Sequence, residues 1–189
     1  MKFRKGTTGG FTLIELLVTI VIVAVLATLA VVSYTRYMRK AHTQEALNFL
    51  LEIKIKQEQY YSTYHQYASA DLYPADEYNA GNDYKPLMWS LDCINAPETT
   101  PGWCALGVRA AFSACPSDMP AGSQCSYHQY QVVAKPIDGD GDPGEFITNP
   151  DRDWWYATGT SDLDRSGTPS QWFISSETTE VFNRNGDDI

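Results

Sequence analysis

No proline occurs before Pro74, and no charged side chain lies between Glu15 and Arg36. Proline removes an intrahelical donor and clashes with the preceding turn, so its absence leaves the first third of the chain free to run as one helix. The missing charge leaves Leu16–Tyr34 uniformly uncharged, about the length that crosses a bilayer's hydrocarbon core. The sequence also lacks G-x-S-x-G, H-E-x-x-H and a phosphate-binding glycine loop, and His42, His65 and His128 are scattered. No familiar catalytic grouping is therefore present, and a non-enzymatic role is expected. Basic residues are few, 14 against 23 acidic, for a formal net charge of -9. That sign is wrong for neutralising phosphates, so direct binding to nucleic acid is not expected.

Cysteine is missing from the apolar stretch and from the last sixty or so residues. All four, Cys93, Cys104, Cys115 and Cys125, fall in one window. They stand about ten residues apart with no C-x-x-C pair, which argues against zinc. An even number downstream of a membrane-targeting segment reads as two disulfides in an oxidising compartment. Three pairings satisfy that reading.

What is present at the amino terminus is a short basic leader, with Lys2, Arg4 and Lys5, followed by GGFTLIELL and the apolar run. A cleaved secretory signal would have a shorter apolar core and a small-residue cut site. A plain anchor fits the length but gives Glu15 no purpose, because a carboxylate near a helix end reaches the interface. Charge does not orient the span: the three leading cations are matched by Arg36, Arg39 and Lys40 on the other flank.

The residues GFTLIE at Gly10–Glu15, set between a basic leader and an apolar run, resemble the class III signal of type IV pilins and pseudopilins. The resemblance is close over roughly the first 65 residues and loose beyond. It implies cleavage by a prepilin peptidase between Gly10 and Phe11, and methylation of the new amino group on Phe11. It also implies that the helix is kept, first as an inner-membrane anchor with the head in the periplasm. The helix then becomes the packed core of an extracellular filament of pilin subunits built by a pilus assembly machinery. The physical logic agrees. Glycine lets a protease approach the backbone, and the amine created at Phe11 is a charge that Glu15 can neutralise in an apolar bundle. This chain has Ala24 and Val32 near the places where many major pilins carry glycine and proline, which tilts the reading toward a minor pilin or pseudopilin.

Beyond the apolar run, Ala46, Phe49, Ile53, Tyr60 and Tyr64 recur at three- and four-residue steps or their multiples. Glu45, Glu52, Lys56 and Gln59 lie mostly opposite, with Glu52 and Lys56 spaced as an i,i+4 ion pair. One helix over 11–65 would be roughly 80 Å long, membrane-spanning over 11–34. Its tyrosines are read as packing groups with their hydroxyls at the rim. Residues 66–128 read as an irregular, disulfide-bearing connection. In the last part, 129–189, strands are expected at Tyr130–Ile137, Asp153–Thr160, Gln171–Ser176 and Glu180–Asn183, bounded by Gly, Pro and Asp turns. The fold class is α+β: a long amino-terminal helix on a small antiparallel sheet, with residues 1–10 as a leader.

Two acidic turns resemble halves of calcium loops. DGDGDPGE alternates Asp138, Asp140 and Asp142, but Pro143 stands where an EF-hand needs glycine and Asn149 where it needs glutamate. DLDRSGT offers Asp162, Asp164 and Ser166 with Gly167 well placed, but Phe173 closes it. Neither is an EF-hand. A looser calcium site competes with two solvated hairpin turns. The function expected is a structural pilus subunit. The alternatives are a type II secretion pseudopilin and a membrane-anchored periplasmic binding or enzyme domain.

Overall fold

A computed structural model describes residues 11–75, 86–136, 142–163 and 166–184. The leader with Gly10, and Ile137, Asp138, Asp140 and Asp164 of the turns above, lie outside the described residues. Two compact units divide the chain, Met1–Met38 and Arg39–Ile189. One helix, α1 (Leu13–Tyr64), runs through both, and proline-free sequence is the reason that it can.

In the first unit α1 buries nothing. Its leucines, isoleucines and valines are exposed, from Leu13 at 91% to Val18 at 48%. A stripe is recognisable only when one face is polar, and here the whole circumference is apolar.

The second unit is a head built on the inner face of α1. His42, Thr43, Ala46, Phe49, Leu50, Ile53 and Gln57 are buried there. They face a five-stranded antiparallel sheet of β1 (Ala70–Tyr73), β5 (Gln129–Ala134), β6 (Trp155–Ser161), β7 (Ser170–Ser175) and β8 (Phe182–Asn183), in the order β1-β5-β6-β7-β8. Strands β5 to β8 form the expected meander, and β1 closes its free edge. Every second residue of the central strands points inward: Tyr130, Val132 and Ala134 on β5, Trp155 and Ala157 on β6, Trp172 and Ile174 on β7. Gly159 sits opposite Tyr130 and Trp172, and a β-carbon there would lie 3.1 Å from the Tyr130 ring and 3.6 Å from Leu50. The missing side chain is what lets helix and sheet close on each other at that point.

Gln57 turns the chain at the end of the helix. It is fully buried, donates from Nε2 to the Ala68 carbonyl at 2.5 Å and accepts from the Ala68 amide at 3.0 Å. The side-chain amide thus satisfies both backbone groups of a buried residue, which would otherwise each carry a desolvation penalty.

Residues 66–128 differ from the expected irregular connection. They hold β1, β2 (Leu87–Trp89), α2 (Pro101–Leu106), β3 (Ser113–Ala114) and β4 (Gln124–Ser126), with a second sheet in the order β2-β4-β3. Strands of two to four residues carry no readable period; packing makes them. Trp89, Trp103 and Phe112 come from this region and surround Phe49 of α1 in edge-on, stacked and tilted ring contacts respectively. Disulfides join Cys93 to Cys104 and Cys115 to Cys125.

Glu52 does not pair with Lys56. Its carboxylate accepts the Arg109 amide at 2.8 Å, and Glu45, seven residues earlier, accepts from the Ser113 hydroxyl at 3.1 Å. Two carboxylates two turns apart thereby pin the 107–113 loop to the helix. A backbone amide held in place is a better partner than a mobile exposed lysine, whose ion pair offsets little more than its own ordering.

Candidate processing and assembly site

The amino-terminal site is built from Phe11, Thr12 and Glu15. Thr12 lies just before α1 and Glu15 in its first turn. The Glu15 carboxylate accepts from the Thr12 amide and the Thr12 hydroxyl, both at 2.8 Å, and the Glu15 amide donates back to the Thr12 hydroxyl at 3.3 Å. This is a capping box, in which two otherwise unpaired donors of the first turn are satisfied reciprocally. The T-x-x-E pattern was in the sequence and gives Glu15 a local role besides charge pairing. Phe11 is 85% exposed. The carboxylate proposed for assembly and the residue proposed as the new terminus thus stand within one turn of each other.

At the other end of the apolar run, Arg36, Arg39 and Lys40 are exposed at i, i+3 and i+4 on α1. None makes an ion pair among the described residues. The span between these cations and Glu15 is long and apolar enough to cross a membrane, by length and composition.

In the head, the described carboxylates of the two acidic turns accept backbone amides. Asp162 accepts the amides of Ser166 and Gly167 at 3.0 and 2.9 Å, and Asp142 accepts that of Gly144 at 2.8 Å. Among the described residues no group of three acidic, His or Cys side chains is placed to hold a metal. Glu177 accepts the amides of Thr148 and Asn149, both at 2.8 Å, which holds its carboxyl below the usual carboxylate range. Lys135 donates to the carbonyls of Pro150, Asp151 and Arg152. The loop leading into β6 is therefore tethered from two sides.

The tyrosines at the end of α1 pack as expected. Tyr60 lies against Tyr64, Tyr61 stacks on Tyr67, and the Tyr61 hydroxyl donates to Asp153 at 3.0 Å. Burial pushes the Tyr67 hydroxyl up to about 12.

Sequence reasoning counted His128 among the scattered histidines and gave it no role. It is buried between Tyr130 and Trp172, and neither ring nitrogen has a hydrogen-bond partner among the described residues. Burial, with His42 nearby, pulls its pKa down to about 3. The unfolded chain therefore takes up a proton below about 6.5 that the folded head refuses until about pH 3. Stability from this group is fully present above about 6.5 and falls as the pH drops through that window. His128→Leu is expected to flatten the dependence of the urea midpoint on pH between 7 and 5, where the slope from one such group approaches about 1.4 kcal/mol per unit. Equal slopes in variant and native protein would exclude His128 as its source.

The helix-on-sheet head and the apolar first half of α1 with its capped Glu15 define a pilin-like class. Residues 7–31 match the prokaryotic N-terminal methylation motif, and residues 32–98 match the family described as type IV minor pilin ComP, DNA uptake sequence receptor. The two adjoining matches bear out the resemblance to type IV pilins over these residues. No curated protein and no solved structure matches it.

Proposed function

We propose that the chain is a structural subunit of a type IV pilus, minor or major, cut by a prepilin peptidase after Gly10 and methylated on Phe11. It then polymerises through α1 with its head outside. The single observation that carries this reading is the exposed apolar surface of α1 that runs on from a lone, capped carboxylate at its first turn. Such a surface needs lipid or other copies, and one helix can use lipid before assembly and copies after it. The head then has a structural role, with disulfides suited to the oxidising side of the membrane.

Mass spectrometry of the native amino terminus tests the reading. The expected product begins at Phe11 and carries one added methyl group, and Gly10→Val is expected to leave the chain uncut. An intact Met1, or a cut beyond Ala30, would overturn it.

A second reading comes from the description of the matched family as a DNA uptake sequence receptor. Against it, residues 41–189 carry eight basic and 22 acidic side chains, a net -14. The purified protein is expected to show no salt-dependent retention of duplex DNA at physiological ionic strength. Retention with a steep salt slope would move the function to DNA uptake.

A further inference from the structure

We propose that Tyr61 and Tyr67 form an oxidative cross-linking site, at which peroxide, activated by a peroxidase, joins the two phenol rings as dityrosine. The rings stack with centroids 4.5 Å apart and planes 27° from parallel. Backbone geometry brings them together. Tyr61 stands in the last turn of α1, which ends at Tyr64, and His65 then takes a left-handed φ of +53° that leads the chain out of the helix. Tyr67 follows two residues later, its other neighbour being Trp155 of β6. Both tyrosines are half-buried, so packing holds the pair while solvent still reaches it.

The two hydroxyls share one end of the stack. Tyr61 donates to the Asp153 carboxylate at 3.0 Å. Burial first, then Glu58, Tyr61 and Asp153, push the Tyr67 hydroxyl upward, which places that hydroxyl beside the same groups. Phenols couple at the ring carbons next to the hydroxyl, so this shared end is where the new bond forms. The carboxylates also favour the oxidation. A phenol that loses an electron becomes a strong acid, and Asp153 already accepts the hydrogen bond along which its proton leaves. The negative charge of Glu58 nearby makes the electron easier to remove. Each tyrosine gives up one electron and one proton. The two phenoxyl radicals join carbon to carbon, and each ring regains aromaticity by passing the displaced ring hydrogen to its oxygen. Peroxide takes the two electrons and two protons, and its O–O bond breaks to give two waters. Other pairs lack one of these conditions. Tyr60 and Tyr64 are as close, at 4.5 Å, but neither hydroxyl bonds a carboxylate among the described residues. Tyr73 donates to the Ser90 carbonyl and lies against Trp89. The product ties the end of α1 to the segment that enters β1.

The experiment treats full-length chain in detergent with hydrogen peroxide and a haem peroxidase. Dityrosine fluorescence is expected in the monomer band. No lysine or arginine lies between Lys56 and Lys85, so trypsin releases both tyrosines in one peptide. That peptide should be lighter by two hydrogens, with no fragment ions from cleavage between Tyr61 and Tyr67. Tyr61→Phe and Tyr67→Phe are each expected to lower monomer fluorescence at least about tenfold, because losing either ring removes the intramolecular route. Tyr60→Phe should leave it unchanged. Asp153→Asn should slow the reaction about tenfold while linking the same pair. A bond mapped to Tyr60 and Tyr64, fluorescence confined to dimers, or a Tyr67→Phe chain as fluorescent as the native one would overturn the site. Equal rates in Asp153→Asn and native chain would overturn the proton's route to that carboxylate.

Discussion

Gly102→Ala is expected to cost the head about 3 kcal/mol or more, read as a lower urea midpoint for the full chain in detergent. A β-carbon at Gly102 would lie 2.0 Å from the Ser69 carbonyl oxygen and 2.6 Å from the Ala70 α-carbon. Both are backbone atoms, so no rotamer change relieves the clash. Nor can α2 retreat. Trp103, next in sequence, is 1% exposed and its indole donates to the Asp71 carbonyl at 2.8 Å, while Cys104 is bonded to Cys93. Gly107 provides the contrast. Its φ is +62° but nothing lies within 4 Å of an added β-carbon, so alanine there should cost only about 1 kcal/mol of backbone strain. Equal effects at the two glycines would show that α2 is not seated on β1 as described.

Glu15→Gln and Glu15→Ala are both expected to be cut after Gly10, and both to lower filament yield at least about tenfold in cells lacking other pilins. Glutamine separates the two roles that the carboxylate has. It keeps an acceptor for the Thr12 donors, and a capping box tolerates it, but it cannot neutralise an amine at Phe11. Loss of the cap alone costs about 1 kcal/mol, small beside an unpaired charge in an apolar bundle. Thr12→Val, which weakens the box and spares the charge, should assemble within about twofold of the native chain. A glutamine variant that assembles normally would assign Glu15 to capping and end the pairing mechanism.

The sequence disclosed the helix, because fifty-two residues without proline leave few alternatives, and it disclosed β5 to β7, because their apolar residues alternate. The second sheet was hidden for the opposite reason. Leu87–Trp89 and Gln124–Ser126 are too short for a period, and they become strands through rings gathered on Phe49. The Glu52–Lys56 spacing suggested a surface pair, yet the competing partner, the Arg109 amide, is 57 residues away and visible only in the fold. At the amino terminus, GFTLIE carried the resemblance to a processing signal, and its T-x-x-E spacing also held the cap. His128 gave no sign, since an isolated histidine reads alike whether buried or exposed.

Both disulfides close short circuits, 11 and 10 residues apart in sequence. Neither reaches the central sheet, and both are complete in the chain before β5 begins at Gln129. On the proposed reading of an exported head, oxidation can therefore follow the order of export. The staples can close while β5 to β8 are still arriving, and no bridge has to wait for, or trap, a wrongly paired strand. Each such loop removes roughly 3 kcal/mol of chain freedom from the unfolded state. The head thus reaches its longest strand pairing, β1 with β5 across some sixty residues, with part of its disorder already spent.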